Sequence, residues 1–236
     1  MAALGGTGCR PLNRERGGCA QFAAVPVSTQ VQTSTDSGGP VGKIVINTNT
    51  TLDGVVEDPD GQEGFGRGGW FHRFGEGDVP AWNALSLQQV EKAEALLLGR
   101  RSDAWFGTRD RTGEAADRTG EWAVRTGDMP KYVVSTTNDE PAWQNSTVLN
   151  GDAVQQISAL KAKIDGDIVV YGSYTLVRTL IEHRLADELR VSVFPVVLGE
   201  GRRLFDEITE VRPMRLTDLR RVGDGIMFYT YEFENN

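Results

Sequence analysis

The segment from Asp167 to Ile181 constrains the fold more than any other part of this sequence. It opens with a continuous apolar run that ends at Tyr171, which is typical of a strand buried on both faces of a parallel sheet. The run stops at Gly172-Ser173, and apolar residues then recur at the spacing of one helix face: Leu176, Val177, Leu180 and Ile181. With a further strand predicted from Leu189 to Val197, the pattern predicts a right-handed strand–helix–strand crossover.

The rest of the folded body also alternates between strand and helix patterns. Strands are predicted over Lys43–Thr50, Leu96–Leu98, Lys131–Ser135, Thr147–Leu149, Met214–Val222 and Ile226–Phe233. A helix is predicted over Ala81–Ala95, and another after Asp152, which has the capping-box partner Gln155 three residues on. Glu57–Gly77, rich in Gly, Asp and Arg, predicts a long loop of the kind that usually serves a function. The short loop Gly223-Asp224-Gly225 predicts an antiparallel hairpin, so the fold class is α/β with a mostly parallel sheet and an antiparallel edge.

Composition excludes several classes of function. Lys and Arg number 25 and Asp and Glu 33, and the resulting net charge of −8 disfavours a nucleic-acid surface, which needs clustered cations. No stretch reaches the roughly 18 apolar residues of a membrane span, so no membrane partner is expected. Both cysteines, Cys9 and Cys19, precede the first predicted strand, which excludes a disulfide scaffold or a Cys-ligated zinc site in the body. With only two histidines, far apart in the chain, no metal is expected.

Residues 1–42 differ from the rest of the chain. They are rich in Gly, Ser and Thr, and their apolar residues follow neither the strand nor the helix period. We expect a disordered extension or an over-long translated start, and a transit peptide is the alternative, because arginines outnumber acids there. The folded domain is accordingly predicted to span residues 43–236, with a cytoplasmic location.

Small or polar residues follow four of the predicted strands, where ligands bind in open α/β sheets. Gly172-Ser173-Tyr174-Thr175 opens a helix, and its free N–H groups suit a pyrophosphate, although a plain glycine turn with a Ser cap has the same pattern. Gly99-Arg100-Arg101-Ser102 places a guanidinium near a hydroxyl at a helix start, which suits the ribose 2′-phosphate of NADP. A solvated basic turn is the alternative.

The other two strand ends carry hydroxyls and a carboxylate. Ser135-Thr136-Thr137 could line a nucleotide groove or simply end a strand. Asp53, in Thr51-Leu52-Asp53-Gly54, is either the acceptor of an Asp-Gly turn or a carboxylate that faces the ligand.

Five segments taken in order resemble a known family: Thr51–Gly54, Leu96–Trp105, Lys131–Thr137, Asp167–Ile181 and Leu185–Phe205. They are similar to the dihydrofolate-reductase-like superfamily, and in particular to the branch with the reductase domain of bacterial riboflavin biosynthesis and its uncharacterised relatives. The FPVVLGEGRRLF ending of the last segment is distinctive, and the resemblance runs from about Lys43 to Phe233.

This resemblance implies a sheet of about eight strands with flanking helices, bound NADPH, and hydride transfer to a C=N or C=O group. A pterin-like or ribosylamino-pyrimidine substrate is implied, as for 5-amino-6-(5-phosphoribosylamino)uracil reductase or dihydrofolate reductase. Near the nicotinamide, the resemblance implies Leu52 and Gly54. At the 2′-phosphate it implies Arg100 and Ser102, which follow the cofactor-binding Gly99, and on the adenosine side Ser135 and Thr136. At the pyrophosphate it implies Gly172, Ser173, Tyr174, Thr175 and Leu176.

The sequence as a whole predicts an NADPH-dependent oxidoreductase. The proton that accompanies the hydride would come from water or from Asp53, the one candidate catalytic residue. A nucleotide-binding protein of the same fold without turnover is the alternative, and a purely structural domain is a third possibility. The C-terminal strands suit a homodimer edge, as in relatives.

Overall fold

The structure of this chain, a computed structural model, describes residues 42–112, 120–137 and 140–234. Within these residues eight strands form: β1 Lys43–Thr51, β2 Ala93–Gly99, β3 Lys131–Val134, β4 Ser146–Leu149, β5 Asp167–Tyr171, β6 Glu188–Phe194, β7 Met214–Val222 and β8 Ile226–Phe233. The α-helices of the same part are α1 Trp70–Gly75, α2 Val79–Val90, α3 Arg100–Thr112, α4 Glu121–Asp128, α5 Ala153–Lys161 and α6 Tyr174–Glu182. The predicted N-terminal extension, with both cysteines, lies outside the described residues except for Gly42.

The strands form one sheet in the order β4-β3-β2-β5-β1-β6-β8-β7. The first six strands of that order are parallel, whereas β8 runs antiparallel to both β6 and β7. Strands β5 and β6, which flank α6 in the chain, lie on either side of β1. The prediction of a mostly parallel, eight-stranded sheet with a C-terminal antiparallel hairpin is confirmed.

Successive residues of the central strands point to opposite faces of the sheet, and helices bury both faces. One core cluster contains Ile44, Ile46, Ile168 and Val170, and the residues of α5 and α6 that cover them are Ile157, Leu160, Leu176, Val177, Leu180 and Ile181. The alternate residues, Val45 and Val169, belong to a second cluster under α2, α3 and α4. The central strands are therefore apolar at successive positions, because each face of the sheet packs against helices.

Several predicted boundaries shift for identifiable reasons. The helix predicted over Ala81–Ala95 ends at Val90, because Ala93 and Ala95 pair with β5 and are buried in the sheet. The predicted loop Glu57–Gly77 contains the short helix α1. Strand β6 ends at Phe194, since Pro195 has no N–H to donate. The cap of α5 is confirmed: the Gln155 amide donates to the Asp152 carboxylate at 2.8 Å.

No helix in the described part of the chain is long and apolar enough to cross a membrane.

Candidate active site

The carboxyl ends of β3, β2, β5 and β1 lie side by side at one edge of the sheet, because these four strands are parallel neighbours. The segments singled out in the sequence follow those ends directly: Ser135 after β3, Gly99-Arg100 at the end of β2, Gly172 after β5 and Leu52 after β1. The fold therefore gathers four separate sequence segments at one place.

The turn between β5 and α6 has an unusual backbone. Gly172 and Ser173 both have positive φ, 64° and 59°, a region that side chains other than glycine seldom occupy. A Cβ atom on Gly99 would overlap the Cβ and Oγ of Ser173, and one on Gly172 would lie 3.2 Å from Ser102 Oγ. The two glycines thus allow the ends of β2 and β5 and the start of α3 to approach closely.

The Arg100 guanidinium lies with hydroxyls from the end of β3. It hydrogen-bonds Thr137 Oγ1 and donates to Ser135 Oγ at 3.4 Å, and the two hydroxyls are 3.1 Å apart. Arg100 and Ser135, which follow different strands, therefore lie together. Thr137, one of the three hydroxyls that could line a nucleotide groove, joins them, and Thr136 is exposed beside them.

Ser102 takes a different place from the one predicted for it. It lies beside Gly172 instead of joining Arg100, because residues two apart on a helix point in different directions.

A cavity of about 920 Å³ opens next to the β5–α6 turn. It lies on the face of the sheet that carries α2, α3 and α4, because Asn47, Asn49 and Tyr171 continue the side-chain rows of Val45 and Val169. Four of the predicted cofactor residues line it: Ser102, Gly172, Ser173 and Tyr174. Five further aromatic residues line the cavity that were not predicted as site residues from the sequence: Trp82, Trp105, Phe106, Trp122 and Tyr171. Their spacing signals only helix and strand packing, so nothing local marks them as a site.

Asp60 connects the loop after β1 with α3. Its Oδ2 accepts hydrogen bonds from Trp105 Nε1 at 2.7 Å and from Arg109 Nη2 at 2.8 Å, and the Arg109 guanidinium lies 3.6 Å from the centre of the Trp105 ring. These contacts fix the orientation of the Trp105 indole at the cavity wall.

Asp58 organises the loop that forms another wall of the cavity. Its carboxylate is almost fully buried and accepts the backbone N–H of Glu63 at 2.9 Å and of Phe65 at 3.0 Å. Its carbonyl accepts the N–H of Gly61 and of Gly69 at 3.1 and 3.0 Å. Although acids are frequent in this loop, the described part of the chain contains no group of three or more His, Cys, Asp or Glu side chains that could hold a metal ion.

Asp53 serves the turn and is not placed as a proton donor. Its carboxylate accepts Thr51 Oγ1 at 2.7 Å and the backbone N–H groups of Leu198 and Gly199 at 3.1 and 2.8 Å. Burial raises its pKa, but these hydrogen bonds to the ionised form outweigh burial, and the pKa lies below the ordinary value. Of the two roles that the sequence left open, the structure supports the turn acceptor, and Asp53 is not among the described residues that line the cavity.

The other predicted residues differ in what their side chains can reach. Leu52 is 67% exposed, and Gly54 has a φ of 81° that the tight turn requires. Thr175 is exposed, whereas Leu176 is buried in the core, so only the backbone of Leu176 can face a ligand.

Tyr174 lines the cavity with its ring and is held at its hydroxyl, which donates to the Asp206 carbonyl at 2.7 Å. The Arg202 guanidinium lies 5.2 Å from the ring centre. Burial first, and then the negative charges of Glu207 and Asp206, raise the pKa of the Tyr174 hydroxyl, so it stays protonated.

Comparison with known proteins agrees with this architecture. "Uncharacterized protein YyaP" of Bacillus subtilis (strain 168) is 27% identical over 191 residues, which are 81% of this chain and 95% of that protein. A protein from Shewanella sp. PV-4 named for riboflavin biosynthesis shares the fold with a TM-score of 0.56 at 20% identity, over 82% of this chain and 99% of that one. Dihydrofolate reductase from Enterococcus faecalis, solved with NADP(H), has a TM-score of 0.50 at 18% identity, over 82% and 98% of the two chains.

The family of this chain follows from a match over most of its sequence. Residues 42–228 match the family described as the RibD C-terminal domain, which is most of the chain and all of the sheet but the last five residues of β8. The resemblance to dihydrofolate-reductase-like proteins is thereby confirmed, and this chain belongs to the RibD C-terminal domain family.

Proposed function

We propose that this protein is an NADPH-dependent reductase that transfers hydride to a C=N or C=O group of a small heterocyclic or carbonyl compound. The observation that carries the proposal is the meeting of four parallel strand ends, two of them with glycines that permit close approach, beside a cavity of about 920 Å³. The relatives point the same way, since one structure of this fold was solved with NADP(H).

The turn residues fit a dinucleotide. Gly172 carries no side chain that would keep a pyrophosphate away, and the first N–H groups of α6 have no acceptor within the helix. The positive end of the helix dipole favours an anion at the same place. Arg100, with the hydroxyls of Ser135 and Thr137, would hold the 2′-phosphate, because a guanidinium and two hydroxyls supply several donors to one monoester.

NADPH would supply the hydride, and the protein would orient the nicotinamide and the substrate in the cavity. Because Asp53 is held in its ionised form by three donors away from the cavity, we assign the accompanying proton to water. Exposed residues at the cavity rim, such as Glu63 and His72, leave it accessible to solvent.

The experiment is a titration with NADPH and with NADH, followed by energy transfer from the tryptophans to the reduced nicotinamide. Arg100→Ala should weaken NADPH binding about 10- to 100-fold, the equivalent of the roughly 1.5–3 kcal/mol of hydrogen bonds to a charged group, and leave NADH within about twofold. Arg221→Ala is the matched control, because Arg221 is an exposed arginine on the far edge strand β7.

Equal losses for the two cofactors in Arg100→Ala would refute the role of Arg100. Binding of neither cofactor to the unmodified protein would refute the proposal. Tight NADPH binding without oxidation across pterins, aldehydes, quinones and ribosylamino-pyrimidines would favour the alternative, a nucleotide-binding protein without turnover.

A further inference from the structure

Five aromatic side chains line the part of the cavity under α2, α3 and α4: Trp82, Trp105, Phe106, Trp122 and Tyr171. We call this part the aromatic chamber. Residues 105 and 106 lie about one helical turn beyond Arg101 and Ser102, and Ser102 lies beside Gly172. The chamber therefore extends along α3 from the β5–α6 turn, which Tyr171 directly precedes. Its residues come from α2, α3, α4 and β5.

The rings of the chamber are fixed by their contacts with other rings. Phe106 stacks on Trp143 with a centroid distance of 4.9 Å and an interplanar angle of 17°. Trp122 meets Tyr171 edge to face at 5.7 Å, and its Nε1 donates to the tyrosine hydroxyl at 3.2 Å. Trp82 packs edge to face on Phe71 of α1 at 5.0 Å. Flat walls held in this way favour a flat ligand.

Four of the charged residues that line the cavity beside the chamber are bound to other parts of the protein, and the exposed Glu63 at the rim is an acid. Asp60 and Arg109 form an ion pair at 2.8 Å, with side chains only 10% and 17% exposed. Asp58 is buried under the backbone N–H groups of its own loop, and Glu57 accepts the Arg202 amide at 2.8 Å. A ligand charge placed in the chamber would lose its hydration and would compete with these internal partners.

Cations able to bind a phosphate lie instead on the side of the β5–α6 turn. Arg101, at the start of α3, is exposed, and Arg202 lies over Tyr174, the first residue of α6. The pyrophosphate of the cofactor would use this side. A second phosphate, on the substrate, would therefore have no cation in the chamber among the described residues.

We propose, on the basis of the proposed function, that the substrate is an uncharged, planar aromatic carbonyl compound of the quinone class, without a phosphate group. It binds between the walls of the aromatic chamber. A hydride leaves NADPH with its electron pair and adds to the quinone, and one proton from water completes the hydroquinone, so that quinone, NADPH and one proton give hydroquinone and NADP⁺.

The test compares 1,2-naphthoquinone with 1,2-naphthoquinone-4-sulfonate, which share the ring and differ in charge. The full chain should bind the neutral quinone at least tenfold more tightly by calorimetry and should reduce it with a kcat/KM at least tenfold higher, after subtraction of the reaction without protein. Quinoline and N-methylquinolinium form a second pair, for binding alone, in which the neutral ring should bind more tightly.

Trp82→Leu, which removes one aromatic wall, should weaken binding of the neutral quinone about tenfold, the equivalent of roughly 1.4 kcal/mol. Trp82→Phe keeps an aromatic ring and should recover most of the loss, while both variants bind NADPH as the unmodified protein does. The measurement of NADPH binding in each variant also shows that the variant is folded.

The possible failures are distinguishable. If NADPH does not bind, the proposed function itself fails. If NADPH binds but the sulfonate is preferred, or neither quinone is bound or reduced, the substrate class is wrong while the proposed function stands. Preference for the quinolinium cation would show a cation-binding chamber and would also overturn the inference.

Discussion

The close approach of Gly99 to Ser173 makes a quantitative prediction about Gly99→Ala. The new methyl group would overlap both the Cβ and the Oγ of Ser173. Ser173 has little freedom to move away, because its φ of 59° and ψ of 90° are set between Gly172 and the first turn of α6. Overpacking of this kind typically costs about 1–3 kcal/mol, so we expect the free energy of unfolding to fall by about 2 kcal/mol.

The same displacement should affect the site more than the fold. A shift of about 1 Å in groups that position a reactant can lower the rate about 100-fold. We therefore expect Gly99→Ala to weaken NADPH binding at least tenfold while the protein remains folded, since total stabilities of domains are about 5–15 kcal/mol. Urea denaturation and the fluorescence titration with NADPH measure the two effects separately.

Ser173→Gly provides the matched background for a double-mutant cycle. Removing the Ser173 side chain relieves a positive φ that is unfavourable for serine, and it increases the freedom of the unfolded chain, so the net change should lie within about 1 kcal/mol. In that background Gly99→Ala should lose most of its effect, with a coupling energy of about 1–2 kcal/mol. Equal destabilisation in both backgrounds would refute the steric argument.

Substitutions of three carboxylates are predicted to affect stability and activity differently. Asp53→Asn should lower the free energy of unfolding by about 1–3 kcal/mol at pH 7 and should not lower kcat tenfold. Because folding lowers the pKa of Asp53, the difference in urea midpoint between the variant and the unmodified protein should shrink as the pH falls below about 4. Asp60→Asn keeps an acceptor for Trp105 but loses the ion pair with Arg109, so steady-state kinetics should show a higher KM and an unchanged kcat. Glu188→Gln, at the amino-terminal edge of the sheet, should lower stability and leave the NADPH dissociation constant within twofold.

The strands buried on both faces could be predicted because a strand that is apolar at every position must be covered on both sides. The boundary between α2 and β2 could not, since Ala93 to Ala95 suit a helix as well as a strand until β5 pairs with them. Residues after the strand ends were found for a topological reason: parallel neighbours bring their carboxyl ends to one edge.

The chemistry of individual side chains was harder to predict than their location. Asp53 before a glycine has the same sequence whether it accepts hydrogen bonds of a turn or faces a ligand, and only the distant Leu198 and Gly199 decide between the two roles. The aromatic chamber was missed because Trp82 and Trp122 belong to different helices that meet only in the folded protein.

The hydrogen bonds around Asp58 have a consequence for how ligands enter. Four backbone N–H groups of the loop after β1 are already satisfied by this one residue, so that wall of the cavity exists before anything binds. Association then requires little ordering of the wall, and no closing step needs to precede chemistry. Either reactant should be able to enter first, which gives intersecting double-reciprocal plots with no obligatory leading substrate.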